Sequence, residues 1–81
     1  MSYEEQQKNK AENLAKATNK PIFEELPPGW ERLPTGTMTT APAGYYWASN
    51  KKSFFDKDYQ SALIKDNNYF ELLKDLEKKV F

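Results

Sequence analysis

Strand-favouring residues are densest over Tyr45-Tyr46-Trp47-Ala48, a run bounded by Gly44 on one side and Ser49-Asn50-Lys51-Lys52 on the other. Ser53-Phe54-Phe55 follows as a second short run, and Asn50 between them tolerates positive φ, so residues 45–55 predict a β-hairpin. Side chains alternate across a strand, which puts Tyr45 and Trp47 on one face and Tyr46 on the other. A two-stranded ribbon is marginal alone and has to be covered. The predicted cover is a C-terminal helix: Tyr69, Leu72, Leu73, Leu76 and Val80 recur at helical spacing, Asn68 and Glu71 have the spacing of a capping box, and Asp75 with Lys79 adds an i, i+4 pair. Between hairpin and helix, Asp56-Lys57-Asp58 predicts the cap of a short helix over 57–64, with Tyr59, Ala62 and Leu63 on one side. The alternative is a third strand ending in Ala62-Leu63-Ile64.

Upstream the apolar positions thin out. Residues 2–19 hold good helix formers but only Ala11, Leu14 and Ala15 as an apolar stripe, which predicts either a frayed helix, capped by Ser2 with Glu5, or a polar arm over residues 1–20. Lys20-Pro21 ends it. Ile22, Phe23 and Leu26 form an extended apolar segment, Pro27-Pro28-Gly29 a turn, and Trp30 to Leu33 a short strand. Residues 34–44 read as a loop whose only large apolar residue is Met38.

Composition narrows the chemistry. With 81 residues the chain makes one small domain, assigned to residues 21–81 with residues 1–20 appended. Seven of its twelve aromatic residues (Trp30, Tyr45, Tyr46, Trp47, Phe54, Phe55, Tyr59) fall between positions 30 and 59, which locates the core. Cysteine and histidine are both absent, which removes disulfides, Cys/His zinc sites, thiol nucleophiles and an imidazole base together. No nucleophile and base stand at a catalytic spacing, so the expectation is no enzyme, no cofactor and no metal. Twelve basic and twelve acidic residues balance, so no net field draws the chain to nucleic acid or an anionic membrane. No apolar run approaches the ~20 residues that span a bilayer, and a cytoplasmic location is expected.

Three short motifs fail on their spacing. Leu33-Pro34-Thr35-Gly36-Thr37 resembles a sortase signal but lacks a residue between proline and threonine. The Asp56-Lys57-Asp58 stretch lacks the turn glycine and the bidentate glutamate of an EF-hand, with Ser61 and Asn67 at those places. Leu26-Pro27-Pro28-Gly29-Trp30-Glu31 resembles the opening of a WW domain, but no second tryptophan followed by proline closes the sheet, and that reading is set aside. The block from Thr40 through Phe55 to Tyr59-Gln60-Ser61-Ala62-Leu63-Ile64 resembles a segment of small uncharacterised proteins from Gram-positive bacteria and their phages or plasmids. That resemblance implies a mobile-element accessory protein and carries no site residues with it.

The expectation is therefore an α+β domain: a short antiparallel sheet centred on the hairpin at 45–55, with the Trp30 strand as a further member, covered by one or two C-terminal helices. The expected function is stoichiometric binding of a host or phage protein without catalysis, through Tyr46, Phe54 and Phe55 with Lys51 and Lys52 at the rim. The plainer alternative is that these aromatics are core. A second class is nucleic-acid binding through the basic hairpin tip, and a third is self-association through the C-terminal helix.

Overall fold

A computed structural model describes residues 2–79. Helix α1 runs over Tyr3–Thr18, strands β1 over Ile22–Phe23, β2 over Glu31–Arg32, β3 over Tyr45–Ser49 and β4 over Ser61–Lys65, and helix α2 over Asn67–Lys79. The four strands form one sheet in the order β1-β4-β3-β2. Strand β3 pairs antiparallel with both neighbours, with Trp47 opposite Leu63 and Ala48 opposite Arg32. The edge strand β1 runs parallel to β4, Ile22 beside Leu63, so the sheet is mixed where an antiparallel one was expected.

The hairpin exists, but its second strand is β4. Residues 53–55 belong to the connection, and the helix expected over 57–64 is replaced by the strand alternative. The reason is burial on both faces: Ala62, Leu63 and Ile64 are fully buried, which an inner strand between two partners achieves and a surface helix does not.

One face of the sheet presents Tyr45, Trp47 and Leu63, and both helices close over it, α1 with Ala11 and α2 with Phe70. Helix α1 is capped by Ser2, whose Oγ accepts the Glu5 N–H at 3.2 Å, and ends at Asn19 in the left-handed conformation, φ 57°. Gln7, Ala11 and Ala15 repeat every four residues on its buried side, and the two alanines let the helix backbone approach the sheet closely. The N-terminal segment, read as a frayed helix or polar arm, thus contributes to the core, and the sheet is covered by one N-terminal and one C-terminal helix. Glu4 fastens it further, with one carboxylate oxygen 2.8 Å from Lys65 Nζ on β4 and the other 3.8 Å from Lys74 Nζ on α2.

The opposite face carries Ala48, Ala62 and Ile64, and among the described residues no helix lies over them. Because β1 and β2 lie at opposite edges, residues 24–30 must cross three strand spacings, roughly 14 Å, and the two ends of this crossing place Phe23 and Trp30 edge to face over that surface, ring centroids 5.4 Å apart. Tyr46 completes the cover.

Helix α2 starts at a different cap from the expected Asn68: Asp66 Oδ1 accepts the Tyr69 N–H at 3.2 Å. Of the predicted stripe, Tyr69 and Leu73 pack on the core cluster around Phe70, whereas Leu72 and Leu76 are exposed. Val80 and the Lys79 side chain lie outside the described residues. Gly44, at φ 87°, allows the close approach of α2, since a Cβ there would run into the Phe70 ring.

Candidate functional site

The connection between β3 and β4, residues 50–60, is ordered by its own hydrogen bonds. Asn50 brackets it: the side-chain amide donates to the Asp58 carbonyl at 3.1 Å, its oxygen accepts the Gln60 N–H at 2.7 Å, and the Asn50 N–H donates to the Gln60 carbonyl at 3.1 Å. Inside this bracket lie two successive turns, the Asp56 N–H donating to the Ser53 carbonyl and the Tyr59 N–H to the Asp56 carbonyl. Side chains cap both turns. Ser53 Oγ accepts the Phe55 N–H at 3.2 Å and Asp56 Oδ1 accepts the Asp58 N–H at 2.9 Å. The aspartates that suggested a helix cap therefore serve a loop.

This scaffold leaves Phe54 69% and Phe55 85% exposed, with ring centroids 4.4 Å apart and planes inclined by 32°. Fully burying a phenylalanine is worth about 1.5–3 kcal/mol, and the isolated molecule realises little of that at either ring. Lys51, Lys52 and Lys57 are exposed on the same loop, together with Asp56 and Asp58. Four of the five residues expected to bind a partner thus share one loop.

Tyr46 stands apart from them. It pairs with Ile64 near the start of β3, roughly 13 Å along the strand from Asn50, and its ring is half-buried beneath the Arg32 guanidinium at 4.7 Å. Burial raises its hydroxyl pKa; Asp66 adds to the shift and Arg32 opposes it. A shallow cleft beside it is bounded by Arg32, Thr35, Met38, Thr40 and Trp47, and its outer wall is tied down by Trp47 Nε1 donating to the Thr39 carbonyl at 2.6 Å.

One residue of the loop escapes sequence reasoning: Asn50 reads as a turn residue for its backbone, whereas its side chain does the bracketing. The partners of Asn50 lie eight and ten residues on, at distances set by the β3–β4 register, so no local pattern announces them. Among the described residues no group of three or more His, Cys, Asp or Glu side chains is gathered to hold a metal ion, and no helix is long and apolar enough to cross a membrane. No family model, curated protein or solved structure matches the chain.

Proposed function

We propose that the protein is a non-catalytic binding module that presents Phe54 and Phe55 to an apolar pocket on another protein, with Lys51 and Lys52 as rim contacts. The observation that carries this reading is the internally bonded loop 50–60, which holds two adjacent phenylalanine rings outside the core. Loops without regular structure that are nonetheless ordered are a common place for recognition, and a pre-formed pair forfeits less entropy on docking than a flexible one. The resemblance of residues 40–64 to small proteins of Gram-positive bacteria and their phages or plasmids adds the setting: a cytoplasmic accessory protein acting stoichiometrically on a host or phage protein.

Nucleic acid is the competing partner, because lysines beside aromatics can meet phosphates and stack on bases. Asp56 and Asp58 on the same loop weigh against it. Capture of partners by the tagged protein, with and without nuclease and at two salt concentrations, separates the two. Protein binding predicts one stoichiometric protein that survives nuclease and moderate salt. Replacing Phe54 or Phe55 by serine then costs about 2 kcal/mol each, roughly thirtyfold in affinity. Loss of all binding on nuclease treatment, or indifference to both phenylalanines, would sink the proposal.

A further inference from the structure

The apolar side chains of helix α2 span one broad arc of its surface, part of it packed and part exposed. Tyr69, Phe70 and Leu73, in its first two turns, pack with the core cluster, and Lys74 reaches Glu4 on α1 at 3.8 Å. Leu72 and Leu76 lie one turn apart on a strip along the edge of that arc and are 63% and 57% exposed. At 100° per residue, Glu71, Asp75 and Lys78 fall along the side of this strip that is turned away from the body, and all three are exposed. Their order matters: both acids lie toward the N-terminal end and the lysine toward the C-terminal end.

A neighbouring helix of the same sequence laid parallel would set acid against acid and lysine against lysine. Laid antiparallel, it sets the acidic end of each helix against the basic end of the other and opposes the two helix dipoles. We propose that the uncovered strip is a self-association surface, occupied by α2 of a second copy in antiparallel orientation about a two-fold axis. The association rests on Leu72 and Leu76 from each copy, an area well below that of a permanent interface, which points to a dissociation constant of about 100 μM.

The test is sedimentation equilibrium of the full chain across a concentration series bracketing that value, with circular dichroism confirming that each variant stays folded. The average mass rises toward that of a dimer for the parent chain and remains monomeric for the Leu72→Ser/Leu76→Ser variant. Glu71→Lys and Lys78→Glu each weaken self-association by roughly fivefold, and an equimolar mixture of the two variants recovers it, because only the mixed pair brings opposite charges together at both ends. Phe54→Ser/Phe55→Ser leaves self-association unchanged, which keeps this surface distinct from the loop. A parent chain that stays monomeric throughout overturns the proposal, as does a leucine variant that associates normally or a mixture no stronger than either variant alone.

Discussion

Tyr45 with Trp47 and Phe54 with Phe55 are two aromatic pairs within a single stretch of eleven residues, and they end in opposite environments. The first pair is spaced by two along β3, so both rings point to the face that α1 and α2 close over, and both residues are more than nine-tenths buried. The second pair is vicinal and forms the two central residues of the Ser53–Asp56 turn, where the backbone leaves no side of a sheet for either ring to join. Aromatic content therefore locates the core only when the spacing matches the element that carries it. Here the inner pair holds the domain together, and the outer pair is held up by polar contacts of the backbone beneath it.

Removing the inner pair's larger member should break that contrast most forcefully. Trp47→Ala deletes a core side chain and the hydrogen bond that ties down the 34–44 loop, for a loss of about 3–5 kcal/mol. Against a total of roughly 4–12 kcal/mol for a chain of this length, that lowers the melting temperature by roughly 15 °C or more in a thermal scan. Asn50→Ala attacks the outer pair's support instead: about 1 kcal/mol of stability is lost in denaturant titration, and amide exchange accelerates at Gln60, whose N–H loses its acceptor.

Glu4 tests how α1 is held over the inner pair. The Lys65 ammonium bonded to the Glu4 carboxylate holds its pKa below the ordinary 4.5, and the same bond raises that of Lys65 above 10.5. The Glu4 contribution is therefore present above pH 4.5 and lost as the pH falls through the lowered value. The Lys65 contribution is present below pH 10.5 and lost as the pH rises through the raised one. Glu4→Gln should cost at most about 1 kcal/mol at neutral pH and make the stability curve shallower below pH 4.5, measured by chemical denaturation across the acid range. The smallest effect belongs to the outer pair itself. Phe54→Ser/Phe55→Ser should change stability by no more than about 0.5 kcal/mol, and a loss comparable to that of Trp47→Ala would show that both pairs are core.

Much of this organisation was legible in the residues. Alternation placed Tyr45 and Trp47 together and Tyr46 opposite, and the stripe containing Tyr69 and Leu73 marked α2. What misled was the stretch from Asp56 to Ile64, where Tyr59, Ala62 and Leu63 satisfy a helical period while Ala62-Leu63-Ile64 equally suits a strand buried on both faces. Periodicity alone does not separate those two for a run this short. Only long-range pairing decides it, through Trp47 opposite Leu63 and Ile22 beside Leu63. The same limit hid the bracketing by Asn50. For Phe54 and Phe55 the residues allowed either core or surface, and the choice follows from the strand assignment: once the second strand moves to 61–65, their stretch becomes loop.

The parallel pairing of β1 with β4 also sets an order of events for the nascent chain. Ile22 meets a neighbour forty-one residues further on, at Leu63, so nothing that precedes β4 can complete the sheet. Helix α1 and the crossing segment are made before β4, and Ala11, Phe23 and Trp30 stay uncovered until it joins the sheet. Closing so long a loop is slow compared with forming the local β3–β4 hairpin. Assembly should run from the hairpin outward, with α1 and β1 the last to find their place.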